Sequence, residues 1–355
     1  MSAIVSSSGR PTFSKASPLL RGKIALEEHS MTDHFDATKT LPDSENTSEH
    51  AFNDEAYMSD VVKRLADVES RVKDMDASGI DISCVSLTMP GIEGIFDAPT
   101  AVSMARKVND QLHKTYRTGP HAHRFRVWGC VPMQDPEAAA AEAERCIKQL
   151  GCCGILINGH SNIGGPNTIQ YLDEPQCEPF WAKIHELDVP VYLHPRLPAP
   201  DQQRAFRGYD FLLGSAYAFG RETAEHALRL MVSGLFDRYP NCKVILGHCG
   251  EGLPFTIHRV DHRLRHSQPG KSGPHKHPLA HYLNTNFWAT CSGVQREGTL
   301  LDTIREMGEE RVLFSVDYPY EDMQELSAWF DGLQLSENTR KRVGFLNARA
   351  LLKLD

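Results

Sequence analysis

Four short stretches of this chain place imidazoles and carboxylates at the ends of apolar, strand-like runs. Glu27-Glu28-His29 follows Lys23-Ile24-Ala25-Leu26, and His194-Pro195-Arg196 follows Val189 to Leu193. His248-Cys249-Gly250-Glu251 lies just past Lys243 to Leu246, and Asp317-Tyr318-Pro319-Tyr320-Glu321 just past Arg311 to Ser315. Mixed nitrogen and oxygen donors of this kind suit a zinc, manganese or iron ion. Alternate residues of a strand point the same way, so Glu27 and His29 can reach one ion while Glu28 faces outward. The plain alternative is a set of polar residues satisfied where they stand. That accounts for any one of these histidines, but poorly for four such strand ends in one chain. His121, His123, His160, His275 and His277 fall in polar loops and read as solvated.

These groups can converge only if the elements that carry them do. Apolar, β-rich runs alternate with helical patterns along the chain. Strands are expected at 23–26, 82–87, 125–130, 154–158, 189–193, 243–246, 286–290 and 311–315. Helices are expected between them at 60–78, 101–116, 136–150, 177–187, 222–236, 254–265 and 300–307, with closing segments at 321–329 and 337–352. Eight strand–helix units make a (β/α)8 TIM barrel, in which an active site forms at the C-terminal ends of the strands. A doubly wound open sheet is the competitor, but no glycine-rich phosphate loop follows the first strand. Residues 22–355 read as a single barrel domain, with a functional loop at about 30–57.

Composition narrows the class further. The chain has 355 residues and a net charge of -8, which disfavours phosphate-backbone binding and suits a small-molecule enzyme. Nine cysteines, an odd number with no CxxC pair, read as reduced and mostly buried thiols of a cytoplasmic protein. Residues 1–21 contain no acidic side chain and no apolar core of the secretory kind, and they read as a disordered extension. No apolar run approaches the ~20 residues of a membrane span.

The quoted stretches, with Gly22 to His29, Tyr192-Leu193-His194-Pro195, Ile245 to Glu251 and Leu313 to Pro319, resemble the non-oxidative aromatic acid decarboxylases of the amidohydrolase superfamily. That group includes γ-resorcylate, 2,3-dihydroxybenzoate and 5-carboxyvanillate decarboxylases, and the resemblance runs from about Gly22 to Asp355 in the group's own order. It implies an amidohydrolase-type barrel with one divalent metal held by Glu27, His29, His194 and Asp317. It further implies His248 and Glu251 as an acid/base pair beside the metal. Asn158, Tyr217 and Phe219 are implied as pocket residues, and Arg259 as an arginine reaching a neighbouring subunit's substrate. Glu-x-His in the first strand, where hydrolytic members carry His-x-His, and a fourth strand without lysine both fit a one-metal decarboxylase. His29 itself favours γ-resorcylate and carboxyvanillate chemistry over the 2,3-dihydroxybenzoate kind.

The implied substrate is an ortho-hydroxylated benzoate, 2,6- or 2,3-dihydroxybenzoate, which would lose carbon dioxide reversibly to give a phenol. Zinc or manganese is the expected ion, with magnesium also compatible, and no organic cofactor is needed. A homodimer or homotetramer is implied, with neither nucleic acid nor membrane as partner. Two rivals stand beside this reading. One is a metal-dependent lactone or ester hydrolase on the same barrel, which would use a metal-bound water. The other is a catalytically silent barrel serving as a binding protein.

Overall fold

The computed structural model describes residues 19–35, 53–268 and 270–354. Most of the expected extension at 1–21, and residues 36–52 of the expected loop at 30–57, lie outside the described residues. Eight parallel strands follow one another in sequence order around a single sheet. They are β1 (Lys23–Ser30), β2 (Ile80–Leu87), β3 (Phe125–Gly129), β4 (Gly154–Asn158), β5 (Pro190–His194), β6 (Lys243–Leu246), β7 (Phe287–Thr290) and β8 (Val312–Leu313). Helices cover the outside: α1 (Glu55–Ala66), α2 (Val68–Ser78), α3 (Ala98–Leu112), α4 (Pro136–Lys148), α5 (Glu178–Leu187), α6 (Ala218–Val232), α7 (Leu253–Leu264), α8 (Leu279–Asn286), α9 (Glu297–Met307) and α10 (Met323–Gly332). This is the expected TIM barrel.

Three boundaries differ from expectation, each for a local reason. The helix expected over 60–78 is two helices, because Asp67 leaves the helical region and caps α2 by accepting from the Ser70 N–H. The strand expected at 311–315 pairs with β7 over only Val312 and Leu313. Asn286 ends α8, a helix the apolar pattern does not announce, and β7 starts one residue later.

Two apolar cores follow from the alternation of the strands. Ile24, Leu26, Trp128, Leu156, Tyr192 and Ile245 fill the barrel interior, whose floor is formed by Ala348, Leu351 and Leu352 of the last helical turn. Ala25, Val85, Val127, Ile157, Val191 and Leu246 pack outward against the helices. All nine cysteines are free and buried. No helix among the described residues is long and apolar enough to cross a membrane.

The barrel closes between β8 and β1 by unusual means. The pairing of β1 with β2 shifts between Ala25 and Glu28, so β1 carries a bulge at Leu26 and Glu27. Its backbone groups are satisfied by side chains from across the barrel. Ser315 Oγ accepts from the N–H groups of Leu26 and Glu27, at 3.0 and 2.6 Å, and Trp128 Nε1 donates to Leu26 O at 2.7 Å. Beyond the bulge, Asp317 N–H donates to Glu27 O and His29 N–H to Tyr318 O, at 2.9 and 2.7 Å. Glu28 turns away from the interior, as expected, but it is fully buried rather than solvated. Its carboxyl accepts from Ser315 Oγ and from the N–H groups of Val316 and Tyr318. Arg71 of α2 adds a donor to His29 O and stacks on the Tyr318 ring at 4.6 Å.

Burial pushes the Glu28 carboxyl up to about 8, against the pull of the Val316 N–H and Arg71. The folded value lies above the unfolded 4.5, so Glu28 contributes stability that is present below pH 4.5 and lost as pH rises through about 8. The fall in denaturation midpoint across that window should flatten in Glu28→Gln. Glu28→Ala orphans three buried donors and should cost about 2–4 kcal/mol in urea unfolding.

Candidate metal centre

The bulge and the seam together bring four donors to one point at the C-terminal mouth of the barrel. Glu27 and His29 come from β1, His194 is the last residue of β5, and Asp317 follows β8. Their donor atoms all lie within 4.8 Å of one another. His29 Nε2 stands 3.0 Å from Asp317 Oδ1, and His194 Nε2 stands 3.5 Å from Glu27 Oε1. Glu27 Oε1 and His29 Nε2 are buried without a hydrogen bond among the described residues. Such atoms are costly unless a cation joins them. Ligands held ~2.0–2.2 Å from one ion are separated by roughly 3–4 Å, so the spacing fits a single divalent metal.

Each donor is aimed by a neighbour. His29 is paired in register with Ser86 of β2, and its Nδ1 shares a hydrogen bond with Ser86 Oγ at 3.1 Å. His194 is paired in register with Asn158 of β4, and its Nδ1 lies 2.9 Å from Asn158 Oδ1. An amide oxygen can only accept, so this contact places the proton on Nδ1 and leaves Nε2 for the metal. Asn158 is itself held by buried Glu93, which accepts from the Asn158 N–H at 2.9 Å and from Nδ2 at 3.4 Å. Glu27 Oε2 receives hydroxyls from Tyr192 at 2.6 Å, Thr290 at 3.2 Å and Ser292. One carboxylate oxygen is thereby fixed and the other left to the ion. A Cβ on Gly247 would stand 2.8 Å from Glu27 Oε1, so only glycine leaves room for that oxygen.

His248 lies beside the donors, with Nε2 3.6 Å from Asp317 Oδ2 and 4.0 Å from Glu27 Oε1. Its Nδ1 meets Glu251 Oε1 at 2.7 Å. Burial works against an imidazolium here, but the carboxylates of Glu251 and Glu27 and the Asp317 contact outweigh it and hold His248 well above its ordinary value. Burial likewise opposes the Asp317 carboxylate, yet His248 and His29 hold it well below the usual range. Burial and the nearby His29 keep His194 neutral, as a ligand must be. Asp317, His248 and Glu251 have left-handed φ angles of 82°, 48° and 54°. Such angles are uncommon for residues with a Cβ and cluster at functional sites.

A cavity of about 600 Å³ opens over these groups. Tyr217 and Phe219, at the start of α6, line it together with His194, His248, Glu251 and Asp317. Asn158 does not line it: the structure places this residue behind His194, as a support for the ligand. Arg259 lies exposed on α7, outside the cavity wall of its own chain. Glu93 and Ser86 carry no motif that would single them out, and Tyr192 stands in a quoted stretch that assigns it no role. Their roles follow from strand register and cross-barrel position. Glu321, which closes the Asp317 stretch, also lines the cavity, and burial together with Asp317 pushes its carboxyl up to about 7. His160 is not solvated: it is buried, 3.2 Å from Glu222 Oε1.

The amidohydrolase family model matches residues 34–354. The chain is 43% identical to the gamma-resorcylate decarboxylase of Rhizobium radiobacter over 337 residues, covering 95% of this chain and 99% of the relative. The crystal structure of a dihydroxybenzoic acid decarboxylase from Polaromonas sp. JS666, with manganese and the inhibitor 2-nitroresorcinol, superposes with a TM-score of 0.87 at 44% identity. That match covers 94% of this chain and 98% of the other. A manganese-bound 5-carboxyvanillate decarboxylase from Novosphingobium aromaticivorans matches with a TM-score of 0.86 at 32% identity, over 94% of this chain and 96% of the other. The eight-strand barrel, the four converging donors and these matches make this chain a member of the amidohydrolase family.

Proposed function

We propose that this protein is a metal-dependent, non-oxidative decarboxylase of ortho-hydroxylated benzoates, with 2,6-dihydroxybenzoate as the best-supported substrate. The observation that carries this reading is the juxtaposition of a one-metal donor set with His248, whose Nε2 stands 3.6 Å from the Asp317 carboxylate, at the base of a cavity lined in part by aromatic side chains. In this reading Glu27, His29, His194 and Asp317 hold one divalent ion, manganese or zinc. Bound there, the ion would polarise the carboxylate and adjacent phenolate oxygens of the substrate and fix the ring.

The chain's own groups then move the proton. The ring carbon bearing the carboxylate must gain a proton before its bond to that group breaks. Asp317 is an ionised carboxylate in this setting, so the proton begins on His248 and reaches the ring carbon by way of Asp317. The bond to the carboxylate breaks, carbon dioxide leaves with no net charge, and its electron pair restores the aromatic ring. Glu251 orients the His248 ring through Nδ1 and stabilises it while it carries charge. Phe219 and Tyr217 wall the ring and limit water at the reacting carbon. The same steps reversed would carboxylate a phenol.

Residues 22–355 are proposed to act as one barrel unit in a homodimer or homotetramer. Exposed aromatics at Tyr209, Phe211 and Phe255 support an assembled state, and the exposed position of Arg259 suits contact with a neighbouring subunit's substrate. Nine free, buried thiols support a cytoplasmic location.

Purified manganese-loaded protein should release carbon dioxide and resorcinol from 2,6-dihydroxybenzoate. Failure on every ortho-hydroxybenzoate, with turnover of lactones or esters, would replace this reading by the hydrolase. Asp317→Asn should retain metal in elemental analysis while turnover falls by about 10²–10⁴-fold; near-normal turnover would remove the proton-transfer role. Asn158→Ala, which frees His194 Nδ1, should weaken metal binding by roughly 10- to 100-fold in competition with a chelator. Unchanged affinity would make Asn158 a packing residue only.

A further inference from the structure

Two acidic groups in the cavity are used neither by the donor set nor by the His248–Glu251 pair: Glu225, which pairs with Arg221 at 3.0 Å, and Glu321. Glu321 lies four residues past Asp317, and Asp317 O receives the Glu321 N–H at 3.1 Å. The next residue, Asp322, caps α10 by accepting from the N–H groups of Gln324 and Glu325. The backbone of Glu321 is thus fixed on both sides, and its side chain faces the cavity. Its carboxyl makes no hydrogen bond and no ion pair with any described residue. Adjacent hydroxyls have other partners: Tyr320 OH lies 2.7 Å from Thr88 Oγ1, and Tyr57 OH donates to Tyr320 O at 2.8 Å.

The position of this carboxyl is defined by Gly293, another cavity residue, whose φ is +62°. A methyl group built on Gly293 would stand 3.6 Å from His248 Nε2 and 3.8 Å from Glu321 Oε1. The imidazole and the carboxyl therefore stand near one another in the wall of the same cavity. An acceptor without a donor is costly in a desolvated cavity, and a carboxyl there also repels an anionic ligand. The first penalty disappears, and the second is offset in part, when the ligand itself supplies a hydrogen.

Resting on the decarboxylase reading, we propose that Glu321 is a specificity-determining residue that accepts a hydrogen bond from a second ring hydroxyl, the first being taken at the metal centre. The substrate class is thereby narrowed to dihydroxybenzoates. A monohydroxylated ring leaves the carboxyl unpaired. Against the ionised carboxyl, a ring carrying methoxy or carboxylate at that place sets acceptor against acceptor, and a site built around a hydroxyl rejects such analogues strongly.

The test compares binding of 2-nitroresorcinol and 2-nitrophenol, which differ by one hydroxyl, to manganese-loaded protein by calorimetry. Wild type should prefer 2-nitroresorcinol by roughly 10- to 100-fold, the range of a hydrogen bond to a charged group. In Glu321→Leu the preference should fall to about threefold or less, while Glu321→Gln, which keeps an acceptor oxygen, should retain part of it. Metal content and circular dichroism certify that each variant is folded and loaded. An unchanged preference in Glu321→Leu, or none in wild type, overturns the proposal. Carbon dioxide release from 2,6-dihydroxybenzoate by wild type is scored separately. Release with an unchanged binding preference rejects only the role of Glu321. A lost preference in Glu321→Leu without release rejects only the decarboxylase reading.

Discussion

The closure of β8 onto β1 is the constraint from which the rest of the site follows. Strict alternation would send Leu26 and Glu27 to opposite faces of the sheet, and the bulge between Ala25 and Glu28 relaxes that requirement. A bulge leaves ladder groups unpaired, and here Ser315, Trp128 and the turn at Asp317 satisfy them. The same few residues that seal the sheet also bring Glu27, His29 and Asp317 together as candidate metal donors. The candidate donor set and barrel closure are therefore two aspects of one local structure. Stiffness at this seam preorganises the donors, which is what a metal site needs from its scaffold.

Around that seam, charge is arranged with little freedom. Two ligand histidines are turned by in-register neighbours on adjacent strands, so sheet register itself selects their orientation. Glu27 has one oxygen saturated by hydroxyls and one left bare. Neighbouring carboxylates raise the His248 imidazole above its ordinary range, and His248 and His29 hold the Asp317 carboxyl below its own.

Much of this was legible in the sequence. Eight apolar runs spaced by helical patterns gave the barrel, and polar residues just past the strands gave all four donors together with His248 and Glu251. The less legible features depend on register and distance. Glu93 reaches Asn158 from a short turn after β2, 65 positions away in sequence, and no spacing rule connects the two. Asn158 could be placed near the site but not assigned a side, because its role depends on pairing with His194. Glu28 was correctly turned away from the ion, yet alternation alone cannot tell an outward residue in water from one buried in a seam. His160 illustrates the converse, since a polar sequence neighbourhood concealed a buried contact with Glu222. The break at Asp67 was hidden because the apolar face continues through both α1 and α2.

The nine cysteines have a consequence for how this protein ages. Every thiol is enclosed, and burial holds those of Cys177, Cys242, Cys249 and Cys291 up at about 12, far from the reactive thiolate. They lie on elements from β2 to the turn after β7, so opening of that part of the barrel releases some of them. In the closed molecule they are inert. Once opened in air they can cross-link with one another and with other chains, and the route back is lost. Shelf life and heat tolerance are then set by the rate at which the barrel first opens, a kinetic quantity, and less by the depth of its equilibrium.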